Sequence, residues 1–108
     1  MSLLDFFRIP DINEGVREWK STDGGVLVDV RTHDEYRTGH IPGSINVPLQ
    51  NISKIKTRVP DLNSPIFVHC LSGARSRQAV SVMRSMGYTN VKNIGGINSY
   101  RGKAVREK

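Results

Sequence analysis

Two short stretches of this 108-residue sequence, Val26–Val30 and Ile66–His69, are dominated by Val, Leu, Ile and Phe and do not alternate with polar residues. A strand that is apolar at successive positions buries both of its faces, as strands do in parallel sheets covered by helices on either side. Helix-forming segments lie between the strand candidates, so the chain reads as strands alternating with helices. That pattern is an α/β fold with a parallel sheet, helices on both faces and right-handed crossovers. In such sheets the binding crevice lies at the carboxyl ends of the strands. Three ends then matter: Asp29-Val30-Arg31, Asn46-Val47 and His69-Cys70.

The remaining elements follow from local signals. Phe6–Ile9, stopped by Pro10, reads as an edge strand. Asp11 and Glu14 have capping-box spacing for a helix over residues 12–19, with Ile12, Val16 and Trp19 on its apolar face. Thr32 and Glu35 repeat that spacing for a short helix ended by Gly39. Ile45–Val47 is a short strand closed by Pro48, and Asn51 is placed to cap a helix using Ile52, Ile55 and Val59. A longer helix carries Ala79, Val82, Met83 and Met86 at i, i+3, i+4 and i+7, with Gly87 as its left-handed cap. Val91–Ile94 is a last strand, Gly95-Gly96 a turn, and residues 97–106 a terminal helix. With no repeat and no linker, residues 1–108 are expected to form one domain with a core over about 5–102.

Sixteen Lys and Arg face ten Asp and Glu, a net charge of +6, but the two halves differ. Residues 1–50 carry −3 and residues 51–108 carry +9. Nucleic-acid binding, a pocket for a small anion and a solvated basic face all fit that asymmetry. One Trp, dispersed basic residues and no recognition motif argue against nucleic acid. The longest apolar runs are a few residues, so neither a membrane span nor a signal peptide is expected. The single cysteine excludes an internal disulfide and points to a reducing, cytoplasmic setting.

That cysteine sits where the fold class places chemistry. In His69-Cys70-Leu71-Ser72-Gly73-Ala74-Arg75-Ser76, a strand turns into a helix within six residues. Gly73 supplies the positive φ such a turn needs, and inward N–H groups with the helix N-terminus form a concave anion site. Arg75 adds fixed positive charge and Ser76 is a candidate cap. A thiol at such a nest has its pKa lowered from about 8.5, because the thiolate is favoured there. The helix dipole supplies only about 0.3–1 kcal/mol of this, less than one pKa unit. No metal-ligand spacing joins Cys70 to His69, His33 or His40, and adjacent strand residues His69 and Cys70 point to opposite faces. Two chemistries use a cysteine on such a loop. A thiolate phosphatase or arsenate reductase has five residues between Cys and Arg; here there are four. The shorter loop suits a single sulfur carried as a persulfide.

The stretch Cys70–Ser76 resembles the active-site loop, Cys-x-x-Gly-x-Arg, of the rhodanese-like sulfurtransferases. Leu27–Arg31 through Glu35-Tyr36, Gly39–Pro48, and Asn93–Gly96 resemble further hallmarks of that family, in its order over about residues 5–102. The resemblance implies a three-layer domain with a five-stranded, mainly parallel sheet flanked by helices. It implies Cys70 as the sulfur carrier, Leu71, Ser72, Gly73, Ala74 and Arg75 as the substrate cradle, and no cofactor. Asp29, Arg31, Glu35 and Ser76 are read as supporting residues. Asp29 and Arg31 are taken first as a loop-bracing ion pair, and Glu35 or Asp29 is the expected partner of Arg75. His40 and Pro42 shape a turn, and Tyr100 stands where the family commonly has Trp. The expected partners are a small anionic sulfur donor and a thiol or cyanide-like acceptor, with a sulfur-relay protein as a further partner. A non-catalytic relay or regulatory module that docks a partner through the basic half is the alternative.

Overall fold

The computed structural model describes residues 10–107. Four parallel strands, β1 (Val26–Asp29), β2 (Ile45–Asn46), β3 (Ile66–Cys70) and β4 (Val91–Gly96), form a sheet in the order β2-β1-β3-β4. The sheet therefore has four strands among the described residues rather than five; the expected strand Phe6–Ile9 lies outside them. Helix α1 (Ile12–Lys20) precedes β1, and α2 (His33–Thr38), α3 (Ile55–Arg58) and α4 (Ala74–Ser85) connect the strands.

Successive strand residues feed two separate cores, which is why β1 and β3 are apolar without alternation. Leu27, Phe67 and Ile94 pack with Ile12, Val16 and Ile41 on one face. Val28, Ile66, Val68, Cys70 and Val91 pack with Ile55, Ala79, Val80 and Met83 on the other. The helix caps are as local as the sequence implies. Asp11 caps α1 by accepting from Asn13 N–H at 2.9 Å, and Thr32 and Glu35 form a complete capping box on α2.

Four expectations are corrected. Asn51 does not cap a helix; a 3₁₀ segment over Leu49–Lys54 starts directly after Pro48, and Asn51 itself leaves helical geometry (φ −117°, ψ 24°). Leu49 N–H is bonded to Val30 C=O, so the turn begins at the sheet edge and swings Ile52 and Ile55 into the core together. On α4 the buried row is Ser76, Ala79, Val80 and Met83, while Val82 is 41% exposed. The loop before α4 fixes its rotation, and a serine takes the position where an apolar residue would be expected. Gly95 and Gly96 are strand, paired with His69 and Cys70 across a register shift in β3–β4. Finally, residues 97–106 form no helix: after a 3₁₀ turn at Ile97–Ser99 the chain runs extended, and Val105 bridges His40 through two 2.8 Å backbone hydrogen bonds. Pairing with the backbone of His40 there satisfies groups that a short, charged terminal helix with no apolar face would leave to solvent.

Candidate active site

β3 delivers Cys70 to the carboxyl edge of the sheet, and the chain must reverse into α4 within three residues. Gly73, at φ +102°, makes that turn and caps the helix in a left-handed conformation that a side chain would strain; Ser76, the expected cap, lies inside the first turn and makes no capping bond. The turn brings the Gly73 N–H to 3.0 Å from Cys70 Sγ. The Ser76 hydroxyl lies 3.4 Å from the same sulfur. Burial pushes the thiol pKa up, but the Ser76 hydroxyl and the backbone N–H groups of Ser76, Gly73 and Ser72 outweigh it, so the pKa is lowered. Leu71, Ser72 and Ala74 are exposed on the outside of the loop, Gly73 and Arg75 are half-buried, and Cys70 as a residue is 1% exposed. The sulfur is thus recessed beneath its own loop.

Arg75 does not choose Asp29. Its guanidinium makes a two-pronged contact with Glu35, Nη1 to Oε1 at 2.7 Å and Nη2 to Oε2 at 3.0 Å. The Arg75 contact holds the Glu35 carboxyl at about 2 against burial, with help from the Thr32 N–H and hydroxyl. Glu35 therefore serves two structures at once: it completes the α2 capping box and ties α2 to the cysteine loop. Asp29 is taken by Arg31, through contacts of 2.7 to 3.0 Å from Nε and Nη2, and Arg31 also reaches Gly39 C=O at 2.7 Å. Asn46 Nδ2 braces the same strand end by donating to Asp29 and Arg31 carbonyls. This buried pair lies on the sheet face opposite Cys70, as does His69. Burial lowers the His69 pKa although Asp29, 3.7 Å from Nε2, pulls it the other way. His40 stacks on Tyr36 at 3.8 Å between ring centroids, consistent with a turn-shaping role.

Two positions outside the loop shape it from β4. Asn93 Oδ1 lies 2.7 Å from Ser76 Oγ, and its Nδ2 donates to Gly73 C=O at 3.1 Å. At Gly96 a Cβ would run into Leu71 O and Ser72 Cα, so only glycine lets the strand pass beneath the loop. The Leu71 carbonyl is in turn held by Asn98 N–H at 3.1 Å. The resemblance over Asn93–Gly96 was the available signal for Asn93; its reach to the loop was not visible from spacing.

Separately from the cysteine loop, none of whose residues line it, a cavity of about 360 Å³ is lined by His33, Asn46, Asn51, Lys54, Thr57 and Arg58, with Val47 and Pro48. Its lining holds basic but no acidic side chains. Among the described residues no group of three or more His, Cys, Asp or Glu is placed to hold a metal, and no helix is long and apolar enough to cross a membrane.

A parallel sheet with helices on both faces, carrying one cysteine in a nest of N–H donors at a strand's carboxyl end, defines a class of α/β domains with a cysteine at the strand-to-helix loop. The comparisons narrow the class: residues 13–103 match the rhodanese-like domain model, and the chain belongs to that family. It is 42% identical over 71 residues to the thiosulfate sulfurtransferase PspE of Escherichia coli K12, covering 65% of this chain and 68% of that protein. It is 33% identical over 98 residues to the putative sulfur carrier protein YrkF of Bacillus subtilis 168, covering 88% of this chain but only 52% of the relative. The solved structure described as rhodanese with anions from E. coli superposes with a TM-score of 0.71 at 37% identity, covering 76% of this chain and 98% of that one.

Proposed function

We propose that the protein is a sulfurtransferase in which Cys70 accepts a sulfane sulfur from a donor such as thiosulfate and passes it to a thiophilic acceptor. The observation that carries the reading is the cysteine loop: N–H donors turned onto Cys70 Sγ within a four-residue span closed by the Arg75–Glu35 clamp. In the first step the thiolate attacks the outer sulfur of thiosulfate. A new S–S bond forms at Cys70, the old S–S bond breaks, and its electron pair leaves with sulfite. In the second step an acceptor thiolate attacks the outer sulfur of the persulfide, and the Cys70 thiolate leaves. Charge and electrons balance in both steps, so the cycle needs neither cofactor nor external oxidant. The recessed sulfur favours a donor presenting a terminal divalent sulfur over one whose reacting atom is buried in substituents.

The test is intact mass after incubation with thiosulfate. One added sulfur, removed by cyanide and absent in Cys70→Ser, is the expected result. No adduct with thiosulfate, mercaptopyruvate or a persulfidated protein overturns the reading. Steady aryl phosphate turnover lost in Cys70→Ser would instead support the phosphatase chemistry that the loop length disfavours.

A second reading, sulfur relay between proteins, is supported by the likeness to a putative sulfur carrier and by the basic cavity, whose His33 opens the helix that carries Glu35. It predicts fast transfer from Cys70 persulfide to a partner's thiol alongside slow turnover of thiosulfate and cyanide. Equal rates with cyanide and with protein thiols would remove it.

A further inference from the structure

The Ser76 hydroxyl is fully buried, carries one hydrogen and faces three acceptors: Asn93 Oδ1 at 2.7 Å, Gly73 O at 3.1 Å and Cys70 Sγ at 3.4 Å. It can donate fully to one of them at a time. The Asn93 amide has one workable orientation. Its Nδ2 donates to Gly73 O at 3.1 Å and its Oδ1 accepts from Gly95 N–H at 3.0 Å; a flip would set donor against donor and acceptor against acceptor. Gly73 O already receives Asn93 Nδ2 and the Arg77 N–H, the latter at 3.2 Å. The contest for the Ser76 proton is therefore between Asn93 and the sulfur.

We infer that Asn93 is a positioning residue that holds the Ser76 proton while Cys70 Sγ is neutral and releases it to the sulfur when Sγ is anionic. With a neutral thiol, Ser76 donates along the short 2.7 Å contact to Asn93 and presents a lone pair to the Cys70 S–H. With a thiolate, the charge-assisted bond to sulfur is the stronger, and the hydroxyl rotates without any heavy atom moving. On the sulfurtransferase reading given above, the persulfide returns the switch: negative charge moves to the outer sulfur, Sγ becomes a neutral bridging atom, and the proton goes back to Asn93. The Ser76 hydrogen thus follows the charge through the cycle.

Other charged groups around the sulfur are the same in every state compared. Arg75, at the start of α4, is held in its two-pronged contact with Glu35. His69, Asp29 and Arg31 lie across the sheet, and Lys92 of β4 is exposed and paired with Glu18.

The experiment is the pH dependence of Cys70 alkylation and of thiolate absorbance in a double-mutant cycle, which requires no sulfur transfer. Ser76→Ala raises the thiol pKa. Asn93→Leu, which removes the competing acceptor, lowers it while the Ser76 hydroxyl is present, and this shift vanishes in the Ser76→Ala background. Simple damage to the loop would act in the opposite direction, by withdrawing the Gly73 N–H. The expected coupling is about three- to tenfold in the ionisation constant, the worth of one hydrogen bond. If Asn93→Leu does not fold, Asn93→Asp serves the same cycle: a stronger acceptor raises the pKa more with the Ser76 hydroxyl present than in the Ser76→Ala background. Shifts at residue 93 that are equal in both backgrounds, or a raised pKa in Asn93→Leu, overturn the inference. A lost thiosulfate adduct with the coupling intact would overturn the sulfur-transfer reading alone.

Discussion

Glu35→Gln isolates the clamp between α2 and the cysteine loop. Glutamine completes a capping box as glutamate does, so Thr32 keeps its partner while the charge opposite Arg75 is lost. The Glu35 carboxyl sits at about 2 rather than 4.5, chiefly through Arg75. At about 1.4 kcal/mol per unit the whole shift corresponds to roughly 3.5 kcal/mol. The two side chains are 33% and 31% exposed. Solvent screening therefore reduces the expected cost at neutral pH to about 1–2 kcal/mol. That is a fall in melting temperature of about 4–8 °C per kcal/mol for a chain of this size. The carboxyl is depressed in the folded state, so its stabilisation is complete above 4.5 and is lost as the pH falls toward 2. By about pH 3 more than half of it is gone. Urea unfolding followed by circular dichroism at pH 7 and pH 3, at one ionic strength, should show the gap between wild type and Glu35→Gln shrink by that proportion. No gap at pH 7, or a gap of the same size at pH 3, would refute the argument that this ion pair holds the loop.

Three further outcomes follow from packing. Gly96→Ala forces a methyl group into Leu71 O and Ser72 Cα, so it should cost about 1–3 kcal/mol and slow Cys70 alkylation at neutral pH at least tenfold, read by unfolding and by iodoacetamide kinetics. Asp29→Ala leaves Arg31, 5% exposed, without its carboxylate and should destabilise by about 3–5 kcal/mol in urea. The rotation of α4 is tested by a pair: Met83→Ala, at a fully buried site, should cost about 2–5 kcal/mol, whereas Val82→Ala should stay within about 0.5 kcal/mol.

Much of this protein is decided by interactions only a few residues long, and those are readable from the chain. A strand that is apolar at every position needs cover on both faces, so Val26–Val30 and Ile66–His69 already imply a parallel sheet with helices on either side. A capping box spans four residues and a strand–turn–helix around Cys70 spans seven, so the α2 start and the existence of a cysteine-bearing turn are local matters. The rest depends on which distant groups meet. Spacing leaves Arg75 with two possible carboxylates; the structure pairs it with Glu35 because Asp29 is already saturated by Arg31 across the sheet. Periodicity puts Val82 on the buried face of α4, but the loop's anchorage sets the helix's rotation and turns Ser76 inward instead. By local pattern Asn93 is a strand residue and Gly96 part of a turn, and the family resemblance over Asn93–Gly96 assigns neither a contact; pairing of β4 with β3 sets them against Ser76, Gly73 and Leu71. The class of the sheet and the loop that carries the cysteine are thus written in the chain, since both arise from short-range geometry. The surroundings of Cys70 Sγ are a matter of tertiary packing, because its neighbours come from β3, α4 and β4, which meet in space and not at any period along the chain.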